Sequence, residues 1–105
     1  ALILGVTFKE NCSDIRNSRV FDLYDSLKKF KITVDIYDPY AIKQEVKRKY
    51  KIDLVNNIKI KYDIVILAVA HDIFKNFDFS SFKKKHGIIY DVKSVLDREI
   101  ITSRL

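Results

Sequence analysis

The sequence predicts an α/β domain: a mostly parallel sheet of five strands with helices on both faces, three layers in all. Short apolar runs, which are typical of buried strands, alternate along the chain with segments that follow the helical period. The clearest run, Ile64 to Ala70, is apolar throughout, as expected for a strand covered on both faces. The chain has 105 residues, 48% of them hydrophobic and 12% aromatic, which favours one packed globular domain.

The first third of the chain predicts a strand, a polar loop and a helix. Ala1 to Val6 is a continuous apolar run with one glycine, so we expect the first strand there. A polar loop follows, and Asn17 or Ser18 is the expected N-cap of the next helix. Apolar residues recur there at the helical period: Val20, Phe21, Leu23, Tyr24, Leu27 and Phe30.

A second strand and a second helix are predicted next. The strand runs from Ile32 to Tyr37. Asp38 and Pro39 then have the residue types preferred at an N-cap and at the first helical position. The apolar side of this helix is expected at three positions: Ile42, Val46 and Tyr50.

The rest of the chain predicts three further strands. They are Ile52 to Val55, Ile64 to Ala70 and Gly87 to Val92, with a brief helical turn over 56–61 between the first two. One or two short helices are expected over 71–86, with Asp78 capping the second, and the tail is expected to form a last helical turn. Because crossovers between parallel strands are right-handed, we expect a Rossmann-like or flavodoxin-like order with the first strand central.

The formal net charge is +6, from 20 Lys and Arg against 14 Asp and Glu. This charge suits an anionic partner such as a nucleotide, a nucleic acid or an acidic lipid, or else a solvated lysine-rich surface. We favour the second interpretation, since no arginine-rich tract or nucleic-acid motif stands out. The single cysteine excludes an internal disulfide and fits a cytoplasmic protein. No apolar run approaches the roughly 20 residues of a membrane helix.

Ligands of such sheets bind outside the carboxyl ends of the strands, so the residues that follow each strand are the candidates. They are Phe8, Lys9, Asn11, Cys12, Asp14 and Arg16 after the first strand, Tyr37, Asp38 and Tyr40 after the second, His71 and Asp72 after the fourth, and Asp91, Lys93 and Ser94 at the end of the fifth. Asp38 is interpreted as a helix cap. Lys9, Arg16 and Lys93 are interpreted as functional, because cations gathered at one edge repel one another unless an anion offsets them.

The first loop contains no known phosphate cradle. A dinucleotide fingerprint needs glycines at G-x-G-x-x-G spacing, and the first strand and loop contain only Gly5. Cys12 lies near a predicted helix start and two cations, a setting that activates thiols, but it has no evident base, so a packing role is favoured. Cys12, His71 and Asp72 lack the spacing of a metal site. We therefore expect neither a catalytic residue nor a metal ion in this chain.

The stretch GVTFKENCSDIRNS, Gly5 to Ser18, resembles the C-terminal domain of UDP-glucose/GDP-mannose dehydrogenases. Three further stretches resemble the same family in the expected order: VDIYDPYA, DIVILAVAHDIF and IIYDVKSVL. The Phe-Lys-x-x-x-x-Asp-x-Arg pattern from Phe8 to Arg16 is the most specific part. FKENC together with DVK looks most like the branch that acts on UDP-N-acetylhexosamines for surface polysaccharides. The abrupt start on a strand-like run also suggests a piece of a longer protein.

The resemblance implies a role for each matching residue. Phe8 and Lys9 would contact the UDP-sugar, as would Lys93, where many members of the family have arginine. Arg16 would reach the NAD that is bound by another domain. The catalytic cysteine of the family lies in the middle of the full enzyme, so Cys12 does not match it.

The resemblance also implies the reaction and its setting. The full enzyme would oxidise the C6 alcohol of a UDP-sugar to a carboxylate with two NAD. Residues 1–105 would form its UDP-sugar-binding C-terminal domain, which is inactive alone and works with an N-terminal NAD-binding domain and a central domain. The enzyme would be a cytoplasmic homodimer or larger oligomer, with neither nucleic acid nor membrane as a partner.

Two alternatives belong to other classes of protein. A non-catalytic nucleotide- or nucleic-acid-binding α/β module would explain the positive charge, and salt-dependent binding of DNA or RNA would support it. A receiver-like domain needs an acidic pair after the first strand and an acceptor aspartate after the third. The sequence has Phe8-Lys9 and Asn56-Asn57 at those places, which counts against a receiver.

Overall fold

The computed structural model describes residues 1–93, 96 and 103–104, and its sheet has the order β2-β1-β3-β4-β5 with every neighbouring pair parallel. The strands are β1 (Leu2–Leu4), β2 (Asp35–Tyr37), β3 (Tyr62–Leu67), β4 (Lys83–Asp91) and β5 (Ser103–Arg104). The helices are α1 (Val20–Lys29), α2 (Lys43–Tyr50) and two 3₁₀ helices, Asp72–Asn76 and Phe79–Ser81. The α/β class and the parallel sheet are confirmed, and the order is flavodoxin-like. β1 lies between β2 and β3, but β3 takes the middle position.

Four of the predicted strands form, with shifted bounds. β1 is shorter than predicted because its residues pair with Asp35–Tyr37 on one side and with the end of β3 on the other, and this ladder stops at Leu4. β4 begins at Lys83, earlier than predicted, and its pairing with β3 shifts register between Tyr62 and Ile64.

The predicted strand from Ile52 to Val55 is wrong. Ile52 and Leu54 are buried in the core, but no strand ladder includes the segment. Its backbone is hydrogen-bonded to β2 from the Val55 amide to the Ile36 carbonyl (2.9 Å). An apolar run of this length does not distinguish a strand from a buried connection. The predicted helical turn over 56–61 does not form either.

The strand count is not confirmed as it was predicted, because the fifth strand of the sheet lies in the tail. Ser103 and Arg104 pair with Tyr90 and Asp91 of β4. The last helical turn was expected in this region, and these two residues are in a strand instead. The remainder of that prediction lies outside the described residues.

α1 forms where the helical period predicts it, with different ends. Arg19, not Asn17 or Ser18, is the N-cap, although the Ser18 hydroxyl accepts a hydrogen bond from the Val20 amide (3.3 Å). Phe30 lies at the C-cap and is 79% exposed, so it does not belong to the apolar face. The apolar period extends one residue beyond the last helical residue, Lys29, which explains that error.

α2 begins at Lys43, after the position that Asp38 and Pro39 predict. Ile42 is its N-cap and is half exposed, whereas Val46 is fully buried. Asp38 is therefore not the cap of this helix, because its carboxylate is bonded elsewhere, as described below.

The two faces of the sheet are covered differently. Ile3, Ile36 and Ile66 pack against α1 and α2, where the rings of Phe21 and Tyr50 stack with centroids 3.6 Å apart. The opposite face packs against the 3₁₀ helices; the residues in that core include Leu2, Leu4, Val65, Leu67, Phe74, Phe79, Phe82 and Ile89. The prediction of short helices over 71–86 is thus confirmed, including the cap, since the Asp78 side chain accepts from the Ser80 amide.

Gly5 allows the end of β1 to approach the segment that follows β3. Its φ is +92°, and a Cβ there would lie 2.6 Å from the Cβ of Val69. A side chain at this position would therefore force the two segments apart. Within the described residues, no helix combines the length and the apolar character that crossing a bilayer requires.

Candidate functional site

A pocket of about 380 Å³ opens at the carboxyl ends of β1, β3 and β4, beside α1. Its walls come from residues 7–8 after β1, residues 17–20 and Leu23 at the start of α1, residues 68–69 after β3, and residues 92–93 after β4. The order of the strands reverses between β1 and β3, and ligands of doubly wound sheets bind at that switch point. The volume lies within the range of small-molecule sites.

The pocket combines apolar walls with positive charge. Val20, Leu23, Ala68 and Val69 supply apolar surface. Lys93 is an exposed cation on the wall, and the first turn of α1 adds the partial positive charge of a helix N-terminus. These walls suit an anionic ligand that also has an apolar or aromatic part.

Two of the four predicted binding residues line this pocket. Phe8 is 55% exposed and follows β1, while Lys93 follows β4, so the sheet brings these distant residues together. Lys9 and Arg16 are exposed, but they are not among its walls. The Lys9 carbonyl accepts hydrogen bonds from the Thr7 hydroxyl (2.9 Å) and from the Cys12 thiol (3.4 Å), which fixes the loop around it.

The charge of Arg16 is offset within the chain. Its Nε and Nη2 each donate to one carboxylate oxygen of Asp14, both at 3.0 Å. These side-chain bonds, followed by a bond from the Arg16 amide, lower the pKa of Asp14 to about 2. The repulsion argument for an external anion therefore does not apply to Arg16. Because 78% of the arginine side chain is exposed, the pair contributes little to stability.

Cys12 has no histidine base available. Its thiol lies 3.4 Å from the Lys9 carbonyl, and both ring nitrogens of His71 are bonded to other groups. Among the described residues, no group of three or more possible ligands is placed to hold a metal ion.

Asp38 is buried, and each of its carboxylate oxygens has its own set of donors. Oδ1 accepts from the amides of Tyr40 (2.8 Å) and Ala41 (3.3 Å), which closes the turn before α2. Oδ2 accepts from the amides of Val6 (2.7 Å) and Thr7 (3.3 Å), which fixes the chain at the end of β1.

His71 completes the environment of Asp38. Its Nε2 lies 3.0 Å from Oδ2, and both side chains are fully buried. Burial raises the pKa of Asp38, but the bonds from His71, Val6 and Tyr40 outweigh burial, and the net pKa is below the ordinary value. Sequence analysis interpreted Asp38 as a cap and missed this pair. The sequence did contain a signal for the pair: Asp38 follows β2 and His71 follows β3, and the carboxyl ends of parallel strands lie at the same edge of the sheet.

Asp91 holds the turn that presents Lys93. This aspartate is fully buried at the end of β4. Its two oxygens accept from the amides of Lys93 (3.0 Å) and Leu96 (2.8 Å). The carboxylate thus bends the chain directly after the strand, so that Lys93 is exposed beside the pocket.

The fold and the pocket define a doubly wound α/β domain with an open pocket at its switch point. More particularly, the chain belongs to the UDP-glucose/GDP-mannose dehydrogenase family, whose UDP binding domain matches residues 2–98. The family inferred from the stretch between Gly5 and Ser18 is therefore confirmed.

Individual relatives agree with this assignment. The chain is 45% identical to a UDP-N-acetyl-D-glucosamine 6-dehydrogenase of Salmonella typhi, over 99% of this chain and 25% of that protein. It is 38% identical to the enzyme of the same name from Pseudomonas aeruginosa, over 99% and 26%. The solved UDP-N-acetyl-mannosamine dehydrogenase Cap5O from S. aureus superposes with a TM-score of 0.75 at 28% identity, over 98% of this chain and 24% of that one. The chain thus spans about a quarter of these relatives.

Proposed function

We propose that this chain is the UDP-binding domain of an NAD-dependent 6-dehydrogenase that oxidises the C6 alcohol of a UDP-N-acetylhexosamine to the uronic acid, using two NAD. The pocket at the β1/β3 switch point, lined by Phe8 and Lys93 beside the start of α1, carries the proposal. The family match and the names of the two bacterial 6-dehydrogenases support the substrate class.

The pocket offers complementary surfaces for the two parts of UDP. A diphosphate is favoured by the N-terminus of α1 and by Lys93, whose ammonium is a compact point charge with three donors. The uracil ring is favoured by the exposed Phe8 ring and the apolar wall at Ala68 and Val69.

Lys9 and Arg16 have separate roles in this proposal. Lys9 contacts the sugar or a phosphate outside the pocket. Arg16 contacts NAD that is bound mainly by the N-terminal domain. It can do so while paired with Asp14, because Asp14 accepts only from Nε and Nη2 and leaves the Nη1 donors for NAD. The chain's own residues do not fit the NAD pyrophosphate, since only Gly5 is present where three glycines are needed.

The proposal requires the rest of the enzyme for catalysis. An N-terminal NAD-binding domain and a central domain with the catalytic cysteine supply the oxidant and the nucleophile, in a cytoplasmic homodimer or larger oligomer. The 105-residue chain alone therefore forms no NADH from a UDP-sugar and NAD. NADH formation by the purified chain, followed by its absorbance, would contradict this division of labour.

Calorimetric titration of the 105-residue chain tests UDP binding. We expect UDP to bind more tightly than UMP, and uridine to bind weakest, with affinity falling as salt is added. Lys93→Ala should weaken UDP binding roughly 10- to 100-fold, the loss expected for a bond to a charged group. Lys85→Ala is the matched control, since this exposed lysine lies near the start of β4, away from the pocket.

Two results would sink the proposal. One is a wild-type chain that binds uridine as well as UDP. The other is an equal effect of Lys93→Ala and Lys85→Ala, which would indicate attraction to the net positive surface instead of a site.

A further inference from the structure

Asp38 and His71 form a buried pair beside the loop that carries Phe8 and Lys9. Neither is a wall of the pocket, and both side chains are fully buried. We infer that this pair is a positioning device, which holds the Phe8–Lys9 loop in the conformation that binds the nucleotide. The inference rests on the proposed function and names residues that act on the ligand only through the loop.

The loop is anchored at both ends. At its start, the Thr7 amide donates to Asp38, and the Thr7 hydroxyl donates to the Lys9 carbonyl. Further along, the Asn11 amide donates to Nδ1 of His71 (2.8 Å). The backbone is thus bonded to buried groups on either side of Phe8 and Lys9, whose side chains are exposed.

Asn11 is the second anchor of the loop, and its backbone conformation suits the bond to His71. Its φ of +58° lies in the left-handed region, which asparagine adopts more readily than most residues. In this conformation its amide donates to the ring of His71, while its side-chain oxygen accepts from the Asp72 amide (2.9 Å). The loop after β1 is therefore bonded to two consecutive residues after β3.

The hydrogen bonds assign one tautomer to His71. Because Nδ1 accepts from the Asn11 amide, it carries no proton, and the ring proton lies on Nε2. Nε2 then donates to Oδ2 of Asp38 at 3.0 Å, with the Thr7 hydroxyl oxygen further away at 3.3 Å. Tyr40 and Phe74 pack against the ring, with centroids at 4.4 and 5.3 Å, and fix its orientation.

The pair is polar although it is fully buried, and this indicates that it positions the Phe8–Lys9 loop. An apolar pair would fill the same space without the cost of burying a carboxylate. It would leave the amides of Val6, Thr7 and Asn11 without acceptors, however, so the loop would no longer have a single bonded conformation.

Two substitutions at His71 separate positioning from packing. His71→Phe keeps a ring of similar size and removes both bonds. His71→Gln keeps one acceptor and one donor, so its amide can accept from Asn11 and donate to Asp38. We expect His71→Phe to weaken UDP binding to the 105-residue chain roughly 10- to 100-fold, and His71→Gln to restore most of the affinity.

Two further measurements do not depend on UDP. Ring nitrogen chemical shifts of the wild-type chain should report the Nε2–H tautomer. Hydrogen exchange should accelerate in His71→Phe at the Asn11 amide, which loses its acceptor, while the Val65 amide in β3 stays protected. A protein that was merely destabilised would lose protection at both amides together.

The outcomes are distinguishable from a failure of the proposed function. If the wild-type chain does not bind UDP, the proposed function fails, and the tautomer and the exchange pattern still decide whether the pair orders the loop. Positioning is overturned by an Nδ1–H tautomer, by unchanged exchange at Asn11, or by His71→Gln and His71→Phe losing equal affinity. If His71→Phe does not fold, the tautomer and the affinity of His71→Gln decide.

Discussion

Asp14 and Asp38 both follow strands at the carboxyl end of the sheet, and both have a lowered pKa, but the causes differ. Asp14 is partly exposed, and its pKa is lowered mainly by one exposed partner, Arg16. Asp38 is fully buried, and it needs bonds from His71 and several backbone amides to overcome the cost of burial. A lowered carboxylate pKa therefore indicates a contribution to folding stability only where the groups that lower it are fixed by the fold, as the buried partners of Asp38 are.

The largest expected effect is that of Asp38→Ala. Five N–H groups donate to this carboxylate, and each buried donor that loses its acceptor costs about 1–3 kcal/mol. Because water and local rearrangement recover part of this, we expect a loss of about 3–5 kcal/mol in the free energy of unfolding, measured with urea. Asp53→Ala is the control, since Asp53 is an exposed partner of Lys47. A loss no larger than that of the control would contradict the role assigned to Asp38.

The pH dependence of stability should follow the buried aspartate. The fold lowers the pKa of Asp38, so its contribution is fully present above the unfolded-state value of about 3.9 and is lost as the pH falls through the folded-state value. Urea unfolding of the wild-type chain and of Asp14→Asn, at about pH 6 and about pH 3, should show the same steep loss in both. If the pH dependence of stability disappeared in Asp14→Asn, it would arise from Asp14 and not from Asp38, which would contradict this prediction.

The smaller effects concern the exposed cations and would be measured in the proposed full-length dehydrogenase. Arg16→Ala should raise KM for NAD roughly 10- to 100-fold with less effect on the UDP-sugar, and Lys9→Ala should do the reverse. Asp14→Asn should raise KM for NAD less than Arg16→Ala does, because it only releases the guanidinium from its bonded orientation. Steady-state kinetics with each substrate varied in turn decides. Equal effects of Lys9→Ala and Arg16→Ala on both substrates would contradict the separate ligand roles and would indicate that the loop only orders the interface between domains.

The features that could be predicted from the sequence are those that local patterns of apolar residues determine. The strands around Ile3 and Val65 are apolar on both faces, so their burial in a parallel sheet was readable from the sequence. The apolar residues Ile52 and Leu54 were read as a strand, because a buried connection has the same composition. Phe8 was assigned to the ligand through a resemblance, whereas Lys93 was already singled out as one of three cations at the same edge. The topology then explains why the two residues meet.

Long-range partners were beyond local patterns. The Asp-Pro pair at Asp38 is a strong local signal for a helix cap, and it concealed a bond to His71, which is 33 positions away in the sequence. The pairing of Arg16 with Asp14 was missed for another reason: side chains two positions apart meet only when the backbone turns. Here the Arg16 amide also bonds to the Asp14 carboxylate, which brings them together.

Amide chemical-shift mapping of the 105-residue chain during titration with UDP tests the central claim most directly. We expect the largest shifts in the four segments that form the pocket, 7–8, 17–20, 68–69 and 92–93, and small shifts at Lys59 and Lys61, which precede β3 at the opposite edge of the sheet. Shifts that are largest at that opposite edge, or spread evenly over the lysine-rich surface, would contradict a UDP site at the β1/β3 switch point.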